Sequence, residues 1–436
     1  MVDRTFKTKY RNWIVLSVFW VPALVILPAY LLRAELRIKK MSGFSLFSFS
    51  FILFLSITVI LFFIMEKIKP AFQWVVLLLA SYIFYAATGI IMLLPIIITT
   101  VITWIEGLIL DKTVEYYKGL QQNADATEKK HVKKLATSRK RGILIPGIIL
   151  NLGILIAFKY TNFFIENINA MTTTDMAYIN LWIPLGLSFY TFQSVGYLID
   201  IYRGKYKADK NLFKFALFVS YFPQIIQGPI GRYDQLSKQL YKRHCFDYQR
   251  IKFGIQRILW GYFKKMVIAD RVAIFVDEVF SSFDPTKSDL PEYVGITVFL
   301  SALFYGIQIY ADFSGGMDIV LGVSQIFGVE LSENFKHPFL ARSVAEFWQR
   351  WHITLGAWMR DYLFYPLALS KPFANMAKKI RKICGNYVSK ILPTCLASFI
   401  VFFLIGIWHG ANWKYIIYGI YQAIFVSTAT LLEPFQ

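Results

Sequence analysis

Cysteine is nearly absent, with only Cys245, Cys384 and Cys395 in 436 residues. A sparse, odd set without CxxC or Cys/His spacing excludes a disulfide framework and a zinc site. Histidine is scarce too, at five. There is no GxSxG elbow, HExxH helix, Walker loop or GxGxxG turn in a βαβ context, so the hydrolase, metalloprotease, nucleotide and dinucleotide chemistries built on them find no support. Ser314, in Phe313-Ser314-Gly315, is a lone serine without a nucleophile signature. Charge is low at 17%, and acids, at 27 against 47 basic residues, are the scarcer sign. The first apolar segment, 13–33, has no small-residue cleavage site after it, so no cleaved signal is expected.

Apolar residues fill the space that charge leaves. The chain is 56% hydrophobic and 18% aromatic, with mean hydropathy +0.48. That composition belongs to an all-α polytopic membrane protein. Runs of span length fall at 13–33, 46–65, 70–92, 93–110, 143–160, 180–202, 212–228, 251–268, 292–311, 315–328, 394–411 and 413–432, and about ten to twelve crossing or re-entrant helices are expected. Residues 251–268 carry Lys252, Arg257, Lys264 and Lys265 and read as interfacial. Pro223 and Gly228-Pro229 mark 212–230 as a broken helix. The basic residues collect in segments 111–142 and 371–390, which read as cytoplasmic loops. Arg4, Lys7, Lys9 and Arg11 put the N-terminus inside as well. Arg33, Arg37, Lys39 and Lys40 then contradict a simple crossing by 13–33. Because the aromatics lie in apolar runs and not among the basic clusters, the net charge of +20 reads as attraction to membrane lipids, with no nucleic acid as partner.

Two histidines stand in apolar, tryptophan-rich stretches: His352 after Phe347-Trp348-Gln349-Arg350-Trp351, and His409 in Trp408-His409-Gly410. An ionisable group at membrane depth is costly and by default functional, and imidazole is suited to moving protons near neutral pH. The apolar run 398–407 places His409 in the drier setting, as the general base. His352, beside Arg350 and Glu346, reads as an assisting group at a wetter edge. Arg350, Arg342, Trp351, Trp408, Asp312 and Asn412 are the candidates for substrate contacts. The competing structural reading of the Trp and Arg residues is a belt at the bilayer interface. Asp312 and Asp318 need partners if buried. Without a nucleophile signature, the simplest chemistry is direct attack of a bound hydroxyl on a thioester, with a histidine taking the proton.

Several motifs, in order, resemble the membrane-bound O-acyltransferase family. They are residues 80–86 (Ala-Ser-Tyr-Ile-Phe-Tyr-Ala), 184–193, Tyr221-Phe222-Pro223-Gln224, Gln227-Gly228-Pro229-Ile230, Phe263-Lys264-Lys265 with Ala269-Asp270-Arg271, Asp312-Phe313-Ser314-Gly315, the block 334–367, and Trp408-His409-Gly410. The block 334–367 is closest to the bacterial alginate-type branch, related to the teichoic-acid D-alanyl-transfer membrane protein. The resemblance implies a ring of tilted helices around a central funnel, formed by residues 41–436 after an extension at 1–40. It also implies His409 as the catalytic histidine and His352 as the second polar residue of the site. No tightly bound cofactor is implied. The implied donor is cytoplasmic acetyl-CoA or an acyl-carrier thioester. The implied acceptor is a cell-envelope glycan outside the bacterial plasma membrane, or a secreted or membrane-anchored partner acetyltransferase. The alternatives are D-alanyl transfer from a carrier to teichoic acid, and a non-enzymatic permease or scaffold. Three departures stand out. Gly316-Met317 replace Tyr-Ser, Ala368-Leu369 replace Gly-Gly, and fewer helices follow Trp408-His409-Gly410 than alginate-type members carry.

Overall fold

The computed structural model describes residues 46–283 and 293–432. The apolar stretch at 13–33 and the extension at 1–40 lie outside the described residues. Within them the chain is helical, and the single extended pairing is an isolated bridge between Phe335 and Trp351.

Helix α1 (Phe49–Ile68) is capped by the Ser48 side chain, which accepts from the Phe51 N–H. It turns at Pro70 into α2 (Gln73–Ala86). Helices α3 (Leu93–Gln122) and α4 (Ala126–Met171) form a long hairpin whose turn is only residues 123–125. The basic segment 111–142 is therefore helix, not loop. Its Lys, Arg, Glu, Gln and Ala residues are good helix formers, and a capping box between Asp125 and Glu128 restarts the helix at once. Then come α5 (Leu187–Arg203) and α6 (Leu212–Ser220). The chain breaks after Ser220, and Pro223 stands in the isolated turn that follows. Helices α7 (Tyr233–Leu240) and α8 (Tyr248–Tyr262) lead through a π-helical turn, 263–269, into α9 (Asp270–Ser281).

Helix α10 (Ile296–Ile326) is continuous, where the sequence reads as two spans. Gly315-Gly316 serve contact there. At Gly261 and Gly315, and again at Gly254 and Gly322, a Cβ on either residue would lie 2.5–2.8 Å from the facing carbonyl oxygen. Two glycine pairs seven residues apart thus let the backbones of α8 and α10 touch, which is how helices associate without a hydrophobic drive in lipid. Acid–base pairs run along the same seam: Arg257 to Asp318 at 3.0 Å, Lys264 to Asp318 at 2.5 Å and Lys265 to Asp312 at 2.6 Å. Arg257, Lys264 and Lys265 are therefore engaged with α10, while Lys252 is exposed. Gly316 meets a different neighbour. A Cβ there would overlap the Gln227 amide, which fills the space a larger residue would occupy.

Short helices α11 (Val344–Arg350) and α12 (Ile353–Met359) precede the final hairpin of α13 (Lys371–His409) and α14 (Trp413–Leu432). The basic segment 371–390, expected as a loop, lies within α13. The helix breaks there at Gly385, whose φ of 79° suits glycine. Among the described residues, six helices are long and apolar enough to cross a membrane: α1, α3 with the turn before it, α4, α10, α13 from Gly385, and α14. Shorter or broken helices accompany these six, and the expected span 13–33 lies outside the described residues. The chain is an integral membrane protein.

Polar contacts sort the connections into two ends. At one, Lys140 donates to the Tyr202 carbonyl at 3.2 Å, Lys207 pairs with Glu115, and Arg203 and Arg232 reach Asp361 at 2.9 and 2.7 Å. Arg243 there joins the buried Glu66 at 2.6 Å. At the other, Trp413 donates to Asn167 at 2.9 Å, and Asn162 donates to the Ile179 carbonyl at 2.8 Å. Positive charge gathers at the first end.

Candidate active site

The site begins with a turn that His352 can make only in the left-handed region (φ 46°, ψ 52°). Such a conformation is strained for a non-glycine residue and persists only where neighbours impose it. Here they do. Lys336 N–H donates to the Arg350 carbonyl at 3.0 Å and Ile353 N–H to the Asn334 carbonyl at 3.0 Å, on either side of the Phe335–Trp351 bridge. Buried Asn334 then performs the capping that His352 does not. Its Oδ1 accepts from Thr354 N–H and from Thr354 Oγ1, both at 2.9 Å, with His352 Nδ1 at 3.4 Å. Thr354 Oγ1 in turn accepts from Ile230 N–H at 3.0 Å, tying in the Gln227–Ile230 motif. The turn is therefore held by segments far apart in the sequence.

His352 is buried at 3% exposure, with the Phe313 ring edge-on at 4.9 Å and the Trp408 ring centred 6.2 Å away. Trp408 ends a stack of rings. Trp358 lies on Phe192 at 4.1 Å, Phe192 lies on Trp408 at 5.4 Å, and Trp358 Nε1 donates to the Phe192 carbonyl at 2.9 Å. His409 follows on the last turn of α13, its ring 5.1 Å from Trp408 and stacked on Tyr415 at 6.5 Å. The ring of Tyr415 occupies the space a Cβ on Gly410 would need, so Trp-His-Gly cannot take a larger third residue without moving Tyr415.

The two histidines, 57 positions apart in the chain, therefore both adjoin one indole. Their settings reverse the sequence expectation: His352 is the enclosed ring and His409 the exposed one. The apolar run before His409 packs α13, but the helix ends there and the ring projects beyond it. His352 is covered by rings from α10 and α13 that no local pattern foretells.

The other sequence candidates divide. Trp408 is at the site, and its indole Nε1–H is buried without a hydrogen-bond partner among the described residues. Trp351 lies one layer out, against Phe335 at 5.0 Å and Phe347 at 5.6 Å. Arg350 pairs with Glu346, which also accepts from the Arg342 N–H at 2.6 Å. Asp312 is paired with Lys265 on the α8–α10 seam, and Asn412 caps α14 by accepting from Lys414 N–H at 3.0 Å.

Lys159 joins the site unannounced by any motif. Its ammonium donates to the Trp408 carbonyl, lies 5.6 Å from the centre of the Trp408 ring and is 3.5 Å from Ser188 Oγ. The signal was available, since a lysine inside the run Ala157-Phe158-Lys159-Tyr160 is an ionisable residue at membrane depth.

A model of the membrane-bound O-acyltransferase family matches residues 208–379. The chain is 36% identical over 80% of its length to the probable alginate O-acetylase AlgI of Pseudomonas syringae pv. tomato, and 33% identical over 88% to that of Azotobacter vinelandii. It is 29% identical over 59% to the teichoic acid D-alanyltransferase of Bacillus subtilis. The chain spans 60% of the length of the Pseudomonas protein, 69% of the Azotobacter protein and 61% of the Bacillus protein.

Proposed function

We propose a reaction for this chain, which belongs to the membrane-bound O-acyltransferase family: transfer of an acetyl group from acetyl-CoA to a hydroxyl of a cell-envelope polysaccharide, or to a partner acetyltransferase that carries it onward. The observation that carries this reading is the meeting of His352 and His409 at one indole, 6.2 and 5.1 Å from the Trp408 ring.

His409, exposed at the end of α13, draws the proton from the acceptor hydroxyl as its oxygen attacks the thioester carbonyl. A C–O bond forms, the C–S bond breaks, and the proton returns from the imidazolium to the leaving thiolate. The unpaired Trp408 Nε1–H is the donor for the carbonyl oxygen as charge develops on it. His352, fixed by its strained turn, assists by orienting the donor. Arg350 holds a secondary place, because Glu346 already pairs with its guanidinium; Glu346 meets Arg342 at the backbone N–H, and Arg342 is assigned no contact with the donor.

The protein resides in the bacterial cell membrane. The basic end, with Arg203, Arg232 and the 111–142 hairpin, faces the cytoplasm and the donor. A passage between the ends brings donor and acceptor together, and its dry walls favour transfer over hydrolysis. His409→Ala in the intact protein should abolish acetyl transfer from labelled acetyl-CoA while membrane insertion is unchanged. Normal transfer would refute the assignment. Supplying D-alanyl carrier in place of acetyl-CoA separates the two acyl donors by which label is taken up.

A further inference from the structure

We infer that Lys159 is a positioning residue for the transfer: with Tyr160 it clasps the end of α13 and so fixes the direction in which Trp408 and His409 point. The inference rests on the acyl-transfer reading for its consequence, while the clasp has a readout of its own.

Helix α13 ends on His409 without an ordinary stop. The last carbonyls of a helix lack intrahelical donors and need partners from elsewhere. A glycine in the left-handed region commonly brings backbone N–H groups to them, but Gly410 is extended (φ −173°, ψ 157°). Two adjacent side chains of α4 serve instead. The Tyr160 hydroxyl donates to the Ile407 carbonyl at 2.6 Å, and the Lys159 ammonium donates to the Trp408 carbonyl. Further along α4, Asn167 Oδ1 accepts from Trp413 Nε1 at 2.9 Å, and the Phe163 ring lies 6.0 Å from that of Trp413. Residues 159, 160, 163 and 167 thus hold both sides of the turn that follows His409.

A charge is a costly way to fill this place, because an ammonium at membrane depth must be taken from water. Lys159 is half-buried, and among the described residues no carboxylate pairs with it, whereas Arg257, Lys264 and Lys265 each have one. Its compensation comes from the negative end of α13, from the Trp408 ring 5.6 Å away and from Ser188 Oγ at 3.5 Å. A charge-assisted bond is about twice as strong as a neutral one. The lysine therefore grips the Trp408 carbonyl more firmly than a second hydroxyl would. Both histidines depend on that residue: its ring adjoins His352, and His409 follows it in the chain. Without the grip the last turn frays, and the Trp408 indole N–H and the His409 ring lose their alignment on a bound thioester.

The test pairs hydrogen exchange of the full chain in detergent with acetyl-CoA turnover in membranes of the native host, whose envelope supplies the acceptor. In Lys159→Met the backbone amides of residues 403–409 should exchange at least about tenfold faster than in the parent, as loss of one charge-assisted bond allows. Turnover should fall about 100-fold, as misplacement by about 1 Å does, with KM for acetyl-CoA within about twofold of the parent. Lys159→Arg keeps a charged donor and should restore most of both. Lys159→Gln replaces the Met variant if that one aggregates. Tyr160→Phe should loosen the same amides by less, because its bond is neutral. Unchanged exchange in Lys159→Met overturns the clasp. Raised exchange with undiminished turnover overturns the positioning role, and so does a loss of turnover that Lys159→Arg leaves unrepaired. A raised KM with turnover intact overturns it in favour of a substrate contact. His409→Ala keeps the two readings apart: turnover that survives it refutes the acyl-transfer assignment, and exchange in Lys159→Met then decides the clasp alone.

Discussion

Substituting Gly261 by Ala should destabilise the protein through one identifiable contact. The new Cβ would lie 2.5 Å from the Gly315 carbonyl oxygen, 2.7 Å from Ile319 Cγ1 and 2.9 Å from the Ile319 backbone nitrogen. Two of the three are main-chain atoms that cannot rotate away, so α8 and α10 must part by roughly 1 Å to restore ordinary contact. That separation also loosens the Gly254–Gly322 contact seven residues away and lengthens the ion pairs to Asp312 and Asp318 on the same seam. Overpacking of this kind costs about 1–3 kcal/mol. A loss of about 2 kcal/mol lowers the folded-to-unfolded ratio about 30-fold. Alanine also gains up to about 1 kcal/mol over glycine in helix propensity, so the comparison needs a matched control. Gly306 lies on the same α10 with nothing within 4 Å of a built Cβ. The measurement is the fraction of monodisperse protein in detergent after stepwise heating, for Gly261→Ala against Gly306→Ala. Gly306→Ala should match or exceed the parent and Gly261→Ala should fall well below it. Equal curves would refute the close crossing of α8 and α10.

Two further outcomes follow from the same contacts. Asn334→Ala leaves the Thr354 N–H and hydroxyl without their buried acceptor, which costs about 1–3 kcal/mol; transfer by the solubilised protein should drop even at temperatures where it remains folded, because His352 loses its frame, while Asn334→Asp, which keeps an acceptor, should retain more. His244 lies outside the membrane-spanning helices, and burial holds its imidazole below the usual range against the raising effect of its bond to the Gln239 carbonyl, with Arg250 and Lys242 adding to the depression. The unfolded ring therefore binds a proton first, so stability is full above the unfolded value near about 6.5 and declines as pH falls below it. Thermal stability measured at about pH 7.5 and about pH 5.5 should show that decline, and His244→Gln should lessen it.

The membrane class and helical content were legible because they depend on composition and run length, which packing does not change. The charge of segment 111–142 reads as loop, yet Lys, Glu and Ala propagate a helix wherever a capping box can restart it. Gly315-Gly316 has a similar lesson. In water such a pair weakens a helix, but in lipid the hydrogen bonds of a helix have no competitor, and glycine becomes a surface for another backbone. Only the facing Gly254 and Gly261, seven positions apart like Gly315 and Gly322, carry that signal in the sequence.

The site itself divides along the same line. The histidines could be found from the cost of their side chains in apolar runs, and Lys159 could have been found by the same argument. What no run reveals is the order of exposure. His352 follows two arginines yet is enclosed, because Asn334 and Phe313 come to it from other segments while Ile230 holds the adjoining Thr354. His409 follows ten apolar or small residues yet is exposed, because α13 stops beneath it. For the proposed proton transfer this order is the useful one. The ring proposed to meet the hydroxyl is the exposed one, and the ring proposed to orient the donor is the enclosed one. Exchanging the two settings would leave the proposed base unreachable. On that proposal the strained turn at His352 serves to hold a second imidazole in a fixed orientation 6.2 Å from the Trp408 ring.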